Sequence, residues 1–303
     1  MAMEEFDIDW DYLLERLERF LDLGEEYLHE RLVEEPGESP APETTAAFRW
    51  ISEGRRGWLE GVSYPDLPDH ADLIGIDRAL KILHRNTRQF LHGFPANNVL
   101  LWGERGTGKS SAVKGLLAPY AEQGLRLVEV HKEDLYHLPA ICTRLRAFLQ
   151  RFILFCDDLS FDESEVSYRE LKALLEGGIE ARPDNVLVYA TSNRRHLMPE
   201  RLLENTDAEE IHPEERVAEK LSLSDRFGIT LAFYCMAQDT YLAIVRHLAR
   251  QRSLPLETAD LERRALLWAR GRGARSGRVA RQFIDDLSGR LALQALGVPP
   301  NPA

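Results

Sequence analysis

The sequence predicts an α/β protein, a parallel β-sheet covered by helices on both faces, and three observations carry that prediction. Residues Gly103-Glu104-Arg105-Gly106-Thr107-Gly108-Lys109-Ser110 fit the pattern G-x-x-x-x-G-K-[ST] at every fixed position. The apolar run Val99-Leu100-Leu101-Trp102 precedes the pattern and the helix formers Ser111 to Leu117 follow it, so it stands between a buried strand and a helix start. A second apolar run, Phe152-Ile153-Leu154-Phe155-Cys156, ends in the paired acids Asp157-Asp158. Between Leu125 and Thr191, strand and helix patterns alternate in the βαβ manner.

The first motif is a P-loop. Its glycines let successive backbone N–H groups turn inward on a β-phosphate, and the helix opening at Lys109 adds its positive dipole end. Gly103 to Ser111 are thus the candidate phosphate-binding residues, with Lys109 reaching the β- and γ-oxygens and Ser110 placing its hydroxyl on Mg²⁺. The alternative, a Gly-rich turn with a chance Lys-Ser, is weakened by the strand and helix on either side.

Taken in order, residues 9 to 32 place Trp10, Leu13, Leu14, Leu17, Phe20, Leu21 and Leu28 at three- and four-residue steps, which predicts an amphipathic helix. Its apolar stripe must cover something, either the body of its own chain or a partner. Glu34 to Glu43, rich in Pro and acid, reads as an extended linker. Phe48 to Asp69, with Trp50, Trp58 and Tyr64 among glycines and prolines, is expected to be irregular or helical. At Leu73-Ile74-Gly75-Ile76-Asp77 the chain turns into a helix reaching about Leu91; Ile74 and Gly75 either line an adenine pocket or simply start that helix.

Strands are expected over Leu125 to Val130, Phe152 to Cys156 and Val186 to Thr191, with helices over Pro139 to Gln150 and Val166 to Ile179. An acidic irregular stretch runs from Met198 to Leu221, and Ile229 to Tyr234 reads as a fifth strand. Three helical patterns close the chain, Thr240 to Arg252, Thr258 to Arg270 and Ser276 to Ala295. The organisation expected is a helix over 1–34, a linker over 35–47, a nucleotide-binding domain over 48–235 and a helical domain over 236–303.

A buried strand that exposes two acids at its C-terminal end lies where open α/β sheets bind ligands. Asp157 is the candidate for the Mg²⁺ shell and Asp158 the candidate proton acceptor from an attacking water. Asn193 follows the strand Val188 to Thr191, and there it can bond a γ-phosphate or a lytic water, although Ser-Asn is also a common turn. Seven arginines, Arg263 to Arg281, crowd the last third, most of them on solvated helix faces. Arg278 is the exception, because a cap at Ser276-Gly277 puts it in the first turn of the last helix, facing the sheet.

Composition narrows the class. With 303 residues, 44% apolar and 29% charged, the chain suits one medium domain and a smaller companion. Acids Glu4, Glu5, Asp7, Asp9 and Asp11 occupy the start without a basic or apolar signal region, so no secretory signal is expected. No apolar run approaches a membrane span. Cys142, Cys156 and Cys235 form no C-x-x-C pair, which predicts reduced thiols in the cores of a cytoplasmic protein. A net charge of −12 argues against coating nucleic acid with the whole surface, while allowing a local basic patch.

With the P-loop, the strand ending Asp157-Asp158, the strand ending at Asn193, the segment Ser224-Asp225-Arg226-Phe227-Gly228 and Arg278, the chain resembles an AAA+ ATPase over about residues 70 to 297. Within that superfamily it looks most like an uncharacterised bacterial ATP-binding family, and Leu223 to Ile229 is similar to the matching segment of Holliday-junction branch-migration motors. The resemblance implies five parallel strands in the order 5-1-4-3-2 with a C-terminal helical lid. It assigns Lys109 and Ser110 to Walker A, Asp157 and Asp158 to Walker B, Asn193 to sensor 1, Arg226 to the arginine finger and Arg278 to sensor 2.

It further implies ATP and Mg²⁺ as ligands, a homo-oligomer such as a hexameric ring, and a DNA or protein client. Two departures stand out. Asp158 occupies a position usually held by Glu, and His131 to Pro139 lacks the aromatic-apolar-Gly triplet with which unfoldases grip polypeptides. The readings open are an ATPase that remodels a partner, a loader that uses ATP binding more than turnover, and a P-loop kinase, for which no acceptor pocket is evident.

Overall fold

The computed structural model describes residues 12, 14, 16–24, 41–54, 56–161, 166–176, 182–195, 197 and 223–297. The acidic stretch 198–221 and most of the linker 34–43 lie outside the described residues. Two compact units divide the chain, Met1–Ala41 and Pro42–Ala303. In the first, Tyr12, Leu14 and residues 16–24 are helical. The apolar side chains Tyr12, Leu14, Leu17, Phe20, Leu21 and Leu23 of that helix are exposed.

The second unit is built on one sheet of seven strands, two more than the five expected. In chain order these are β1 (Ala47–Glu53), β2 (Arg56–Gly61), β3 (Val99–Gly103), β4 (Leu125–Glu129), β5 (Arg151–Cys156), β6 (Val186–Ser192) and β7 (Ile229–Phe233). They lie side by side as β2-β1-β4-β5-β6-β3-β7. All neighbours run parallel except the β1–β2 hairpin.

That hairpin corrects the expectation of irregular or helical structure over Phe48 to Asp69. Alternation decides it: Phe48 and Trp50 are buried on one face of β1, and the parallel register Phe48 to Val128 adds the hairpin to the β4 edge. Arg126 fixes the incoming chain there. Its buried guanidinium donates to the carbonyls of Pro42, Glu43, Ala121 and Leu125.

Alternate residues of each central strand enter different cores. Leu100, Phe152, Leu154, Val186 and Val188 face one side, with α4 (Leu138–Leu145) and α5 (Val166–Glu176) over them. Val99, Leu101, Ile153, Phe155, Leu187 and Tyr189 face the other, under α1 (Asp77–Leu91), α2 (Lys109–Lys114) and α3 (Leu117–Tyr120). Both faces being covered is why these strands read as continuous apolar runs rather than alternating ones. Tyr189 stitches α1 to the sheet, since its hydroxyl accepts from Asn86 Nδ2 at 2.9 Å and lies 3.0 Å from Thr87 Oγ1. Burial pushes its pKa up to about 12.

A third core joins α6 (Gln238–Gln251), α7 (Thr258–Arg272) and α8 (Gly277–Ala295) around Tyr241, Val245, Ala265, Phe283 and Ile284. Ser276 caps α8 by accepting from the Val279 N–H at 3.2 Å, the cap expected from sequence. Cys142 and Cys156 are core residues as expected, but Cys235 is exposed, because β7 ends at Phe233 and the chain there leaves the sheet.

Candidate functional site

The loop after β3 is shaped by close backbone approach. Gly103 has φ 134°, and a Cβ there would stand 1.9 Å from the Phe233 carbonyl oxygen, which instead accepts the Glu104 N–H at 3.0 Å. Gly106, at φ 75°, brings the loop against the start of α8: a Cβ on it would lie 2.9 Å from Ser276 Oγ and 3.2 Å from Arg278 Cβ. The glycine loop after β3 and the start of α8 thus meet at a point where only hydrogen fits.

Lys109, the first residue of α2, is 7% exposed. Its Nζ donates to Gly103 O at 2.7 Å, Glu104 O at 2.8 Å and Asn193 Oδ1 at 3.1 Å. Asn193 Nδ2 in turn donates to Asp158. An ammonium only donates and a carboxylate only accepts, so the amide orientation of Asn193 is fixed by its two partners. Burial lowers the Lys109 pKa below its ordinary value, and the charges of Asp158, Asp157 and Glu104 oppose that shift.

Asp157 accepts from Ser110 Oγ at 2.6 Å and from Thr191 Oγ1 at 2.5 Å. The same Thr191 hydroxyl accepts the Asp158 N–H at 2.9 Å, so one side chain holds both acids while Asp158 sits at φ 51°, in the left-handed region. Thr191 was not singled out from sequence, although its place as the last residue before Ser192-Asn193 carried the signal. Among the described residues no group of three or more His, Cys, Asp or Glu could hold a metal ion. The adjacent oxygens of Ser110 and Asp157 nonetheless fit Mg²⁺, which is commonly held by one or two protein oxygens with phosphates and water.

These groups open into a cavity of about 610 Å³. Its floor is Arg105 to Ser111 with Asp157, Asp158, Thr191 and Asn193; one wall is Leu73, Ile74 and Ile76, and the other is Met236, Ile244, Leu248, Gly277, Arg278 and Arg281. Gly103, Glu104 and Gly75 do not line it. The first two close the loop from behind, and Gly75, with its Cβ position 2.6 Å from Thr240 Cγ2, lets the wall approach α6. Arg226 also lies outside the lining, paired with Glu176 of α5.

Sequence reasoning missed the wall contributed by α6 and Arg281, since nothing local in α6 distinguishes a cavity face from a core face. It also missed the tie between the walls. Asp72, which lines the cavity, accepts from Gln251 Nε2 at 2.6 Å and meets His247 Nε2 at 2.7 Å.

Behind the loop a histidine pair braces α2. His70 Nε2 must donate to Ala112 O at 3.0 Å, because a carbonyl only accepts. With both rings neutral, His70 Nδ1 then accepts from His84 Nε2 at 2.8 Å, and His84 Nδ1 accepts from the Tyr120 hydroxyl at 2.9 Å. Burial is the largest cause lowering the pKa of both rings.

A glycine loop between a parallel strand and a helix, beside a strand that ends in two acids, defines an α/β fold of the P-loop NTPase type. The chain belongs to the family described as "Protein of unknown function (DUF815)", whose model matches residues 43–291. No curated protein matches it. Among solved structures it is similar to a point mutant of RuvB from Thermotoga maritima, with 20% identity and a TM-score of 0.49, covering 74% of this chain and 65% of that one. The chain therefore spans just under two thirds of that first structure. The Thermotoga maritima RuvB Holliday junction branch migration motor is similar at 17% identity and a TM-score of 0.44, covering 72% of each chain. No helix among the described residues is long and apolar enough to cross a membrane.

Proposed function

We propose that this chain is a cytoplasmic AAA+ ATPase that binds ATP with Mg²⁺ between its sheet and its helical unit and couples turnover to remodelling a DNA or protein partner. The observation that carries this reading is Asn193 joining Lys109 to Asp158 beside the Ser110–Asp157 pair. In it, Lys109 exchanges its carbonyl partners for phosphate oxygens within the cradle Arg105 to Ser111. Ile74, Ile76, Met236, Ile244 and Leu248 supply an apolar slot for the base. Mg²⁺, when bound at Ser110 and Asp157, neutralises charge on the β- and γ-oxygens. Asp158 accepts the proton of a water held by Asn193.

Counted from the P-loop strand, β7-β3-β6-β5-β4 reads 5-1-4-3-2, the order the AAA+ resemblance implies, and this supports taking 48–235 as the nucleotide domain and 236–303 as its lid. On that reading Arg278 reports the γ-phosphate to the lid, and residues 1–34, joined through 35–47, help to choose the client. Arg226 acts on a neighbouring subunit in a homo-oligomer, a hexameric ring by resemblance.

Two observations favour a second reading, a loader that uses binding more than turnover. Arg226 is held by Glu176 of its own chain, and Asp158 is one methylene shorter than the usual glutamate. Phosphate release from ATP and Mg²⁺, with and without DNA, separates the two. Steady release supports the motor, and stoichiometric binding with negligible release supports the loader. A chain that binds no ATP sinks both.

A further inference from the structure

The helical unit carries many arginines, and several are neutralised by acids. Arg246 pairs with Glu262 at 2.6 Å, and Arg263 and Arg264 share Asp260 at 2.6 Å and 2.7 Å. Arg252 and Arg290 pair with Asp285 and Asp286. Arg281 differs. It lines the cavity one helical turn beyond Arg278 and makes no ion pair among the described residues.

Its natural partner is within reach of its own helix. Asp285 stands four residues on, the spacing at which Arg290 does pair with Asp286. Asp285 is taken instead by Arg252 of the α6 C-cap, which also donates to Ser288 Oγ at 3.3 Å. Meanwhile Val279, Ala280, Phe283 and Ile284 bury the opposite face of α8, so Arg278 and Arg281 share the face turned to the cavity.

The charge balance of the lining shows what such a guanidinium is for. Four cations, Arg105, Lys109, Arg278 and Arg281, stand against the four acids Asp66, Asp72, Asp157 and Asp158. Without Arg281 the lining side chains carry three cations against four acids, a balance less favourable to a polyphosphate. A guanidinium is also suited to phosphate oxygens, presenting a planar fork of donors.

We propose that Arg281 is a specificity-determining residue that reads the number of phosphates, setting the preference of the cavity for a nucleoside triphosphate over a diphosphate. This rests on the nucleotide reading above. The attraction of a fixed cation grows with ligand charge, so loss of Arg281 weakens the more highly charged triphosphate most.

Calorimetric titration of the full chain with Mg²⁺ and either ADP or a non-hydrolysable ATP analogue tests this for the parent, Arg281→Ala and Arg281→Lys. In Arg281→Ala the triphosphate-to-diphosphate affinity ratio is expected to fall by about tenfold, the scale of one charge-assisted hydrogen bond. Arg281→Lys, which keeps the charge without the fork, is expected to fall between parent and alanine variant, and it carries the test if the alanine variant fails to fold. An unchanged ratio, from no loss or from equal loss for both nucleotides, overturns the inference alone. A parent that binds neither nucleotide overturns the proposed function and this inference together.

Discussion

Lys109 Nζ lies 3.1 Å from Asn193 Oδ1, a bond between the first residue of α2 and the loop after β6, 84 positions apart in the chain. It makes the lysine part of an assembled set rather than a free charge on a loop. Replacing Lys109 by Ala removes the one buried ammonium of the loop Arg105 to Ser111. ATP affinity is expected to fall by at least about tenfold to a hundredfold, the scale of one charge-assisted hydrogen bond, with the fold retained. Unchanged affinity in calorimetry would refute the phosphate-binding assignment.

Asp158→Asn is expected to keep ATP binding and to lower turnover by about a hundredfold to ten-thousandfold, because the amide still accepts from Asn193 but cannot take a proton. Single-turnover hydrolysis measures it. A variant as fast as its parent places the base elsewhere.

Thr191→Val keeps the shape of a side chain that is 1% exposed but strips its hydroxyl from Asp157 and from the Asp158 N–H. The expected cost is about 1–3 kcal/mol of stability, from leaving polar groups without a partner. Urea unfolding reads it, and Thr191→Ser should recover most of the loss. Equal midpoints for the valine variant and its parent would show that the hydroxyl organises nothing.

The His70–His84 pair predicts a direction with pH. Both rings have folded pKa values below their ordinary 6.5, so the unfolded chain takes up their protons first as pH falls. Their contribution to stability is fully present above pH 6.5 and is lost as pH drops through 6.5 toward the lower folded values. Thermal midpoints measured from pH 7.5 to 5.5 should fall more steeply in the parent than in a His70→Gln, His84→Gln double variant. Parallel slopes contradict the assignment.

Arg226 is held by Glu176 in the isolated chain, and its proposed action on a neighbour requires that pair to open. Arg226→Ala and Lys109→Ala subunits are each expected to be inactive alone, and their mixture to recover part of the ATPase. Co-assembly without recovery, established by sedimentation of labelled subunits, counts against a finger acting in trans.

The glycine-loop motif and the layering of helices on both faces of the sheet were legible in the sequence. Gly103 to Ser110 was legible because its mechanism demands fixed residue types at fixed spacing, and strands such as Phe152 to Cys156 were legible because burial on two faces leaves an unbroken apolar run. The Ser276 cap was legible because it is a contact across three residues.

What needed the tertiary structure is everything set by partners distant in the chain. The β1–β2 hairpin, whose aromatics mixed with glycines read as irregular or helical, becomes part of the sheet only because β4 offers an edge to Ala47, Phe48 and Arg49. Thr191 gains its role because β6 lies beside β5, within reach of both acids. Arg281 lines the cavity on the face of α8 opposite its buried residues, while the acid four residues on is paired with Arg252 from another helix. Local pattern fixes which face of an element is apolar, but which charges remain unpaired is decided by competition among side chains that only the folded chain brings together.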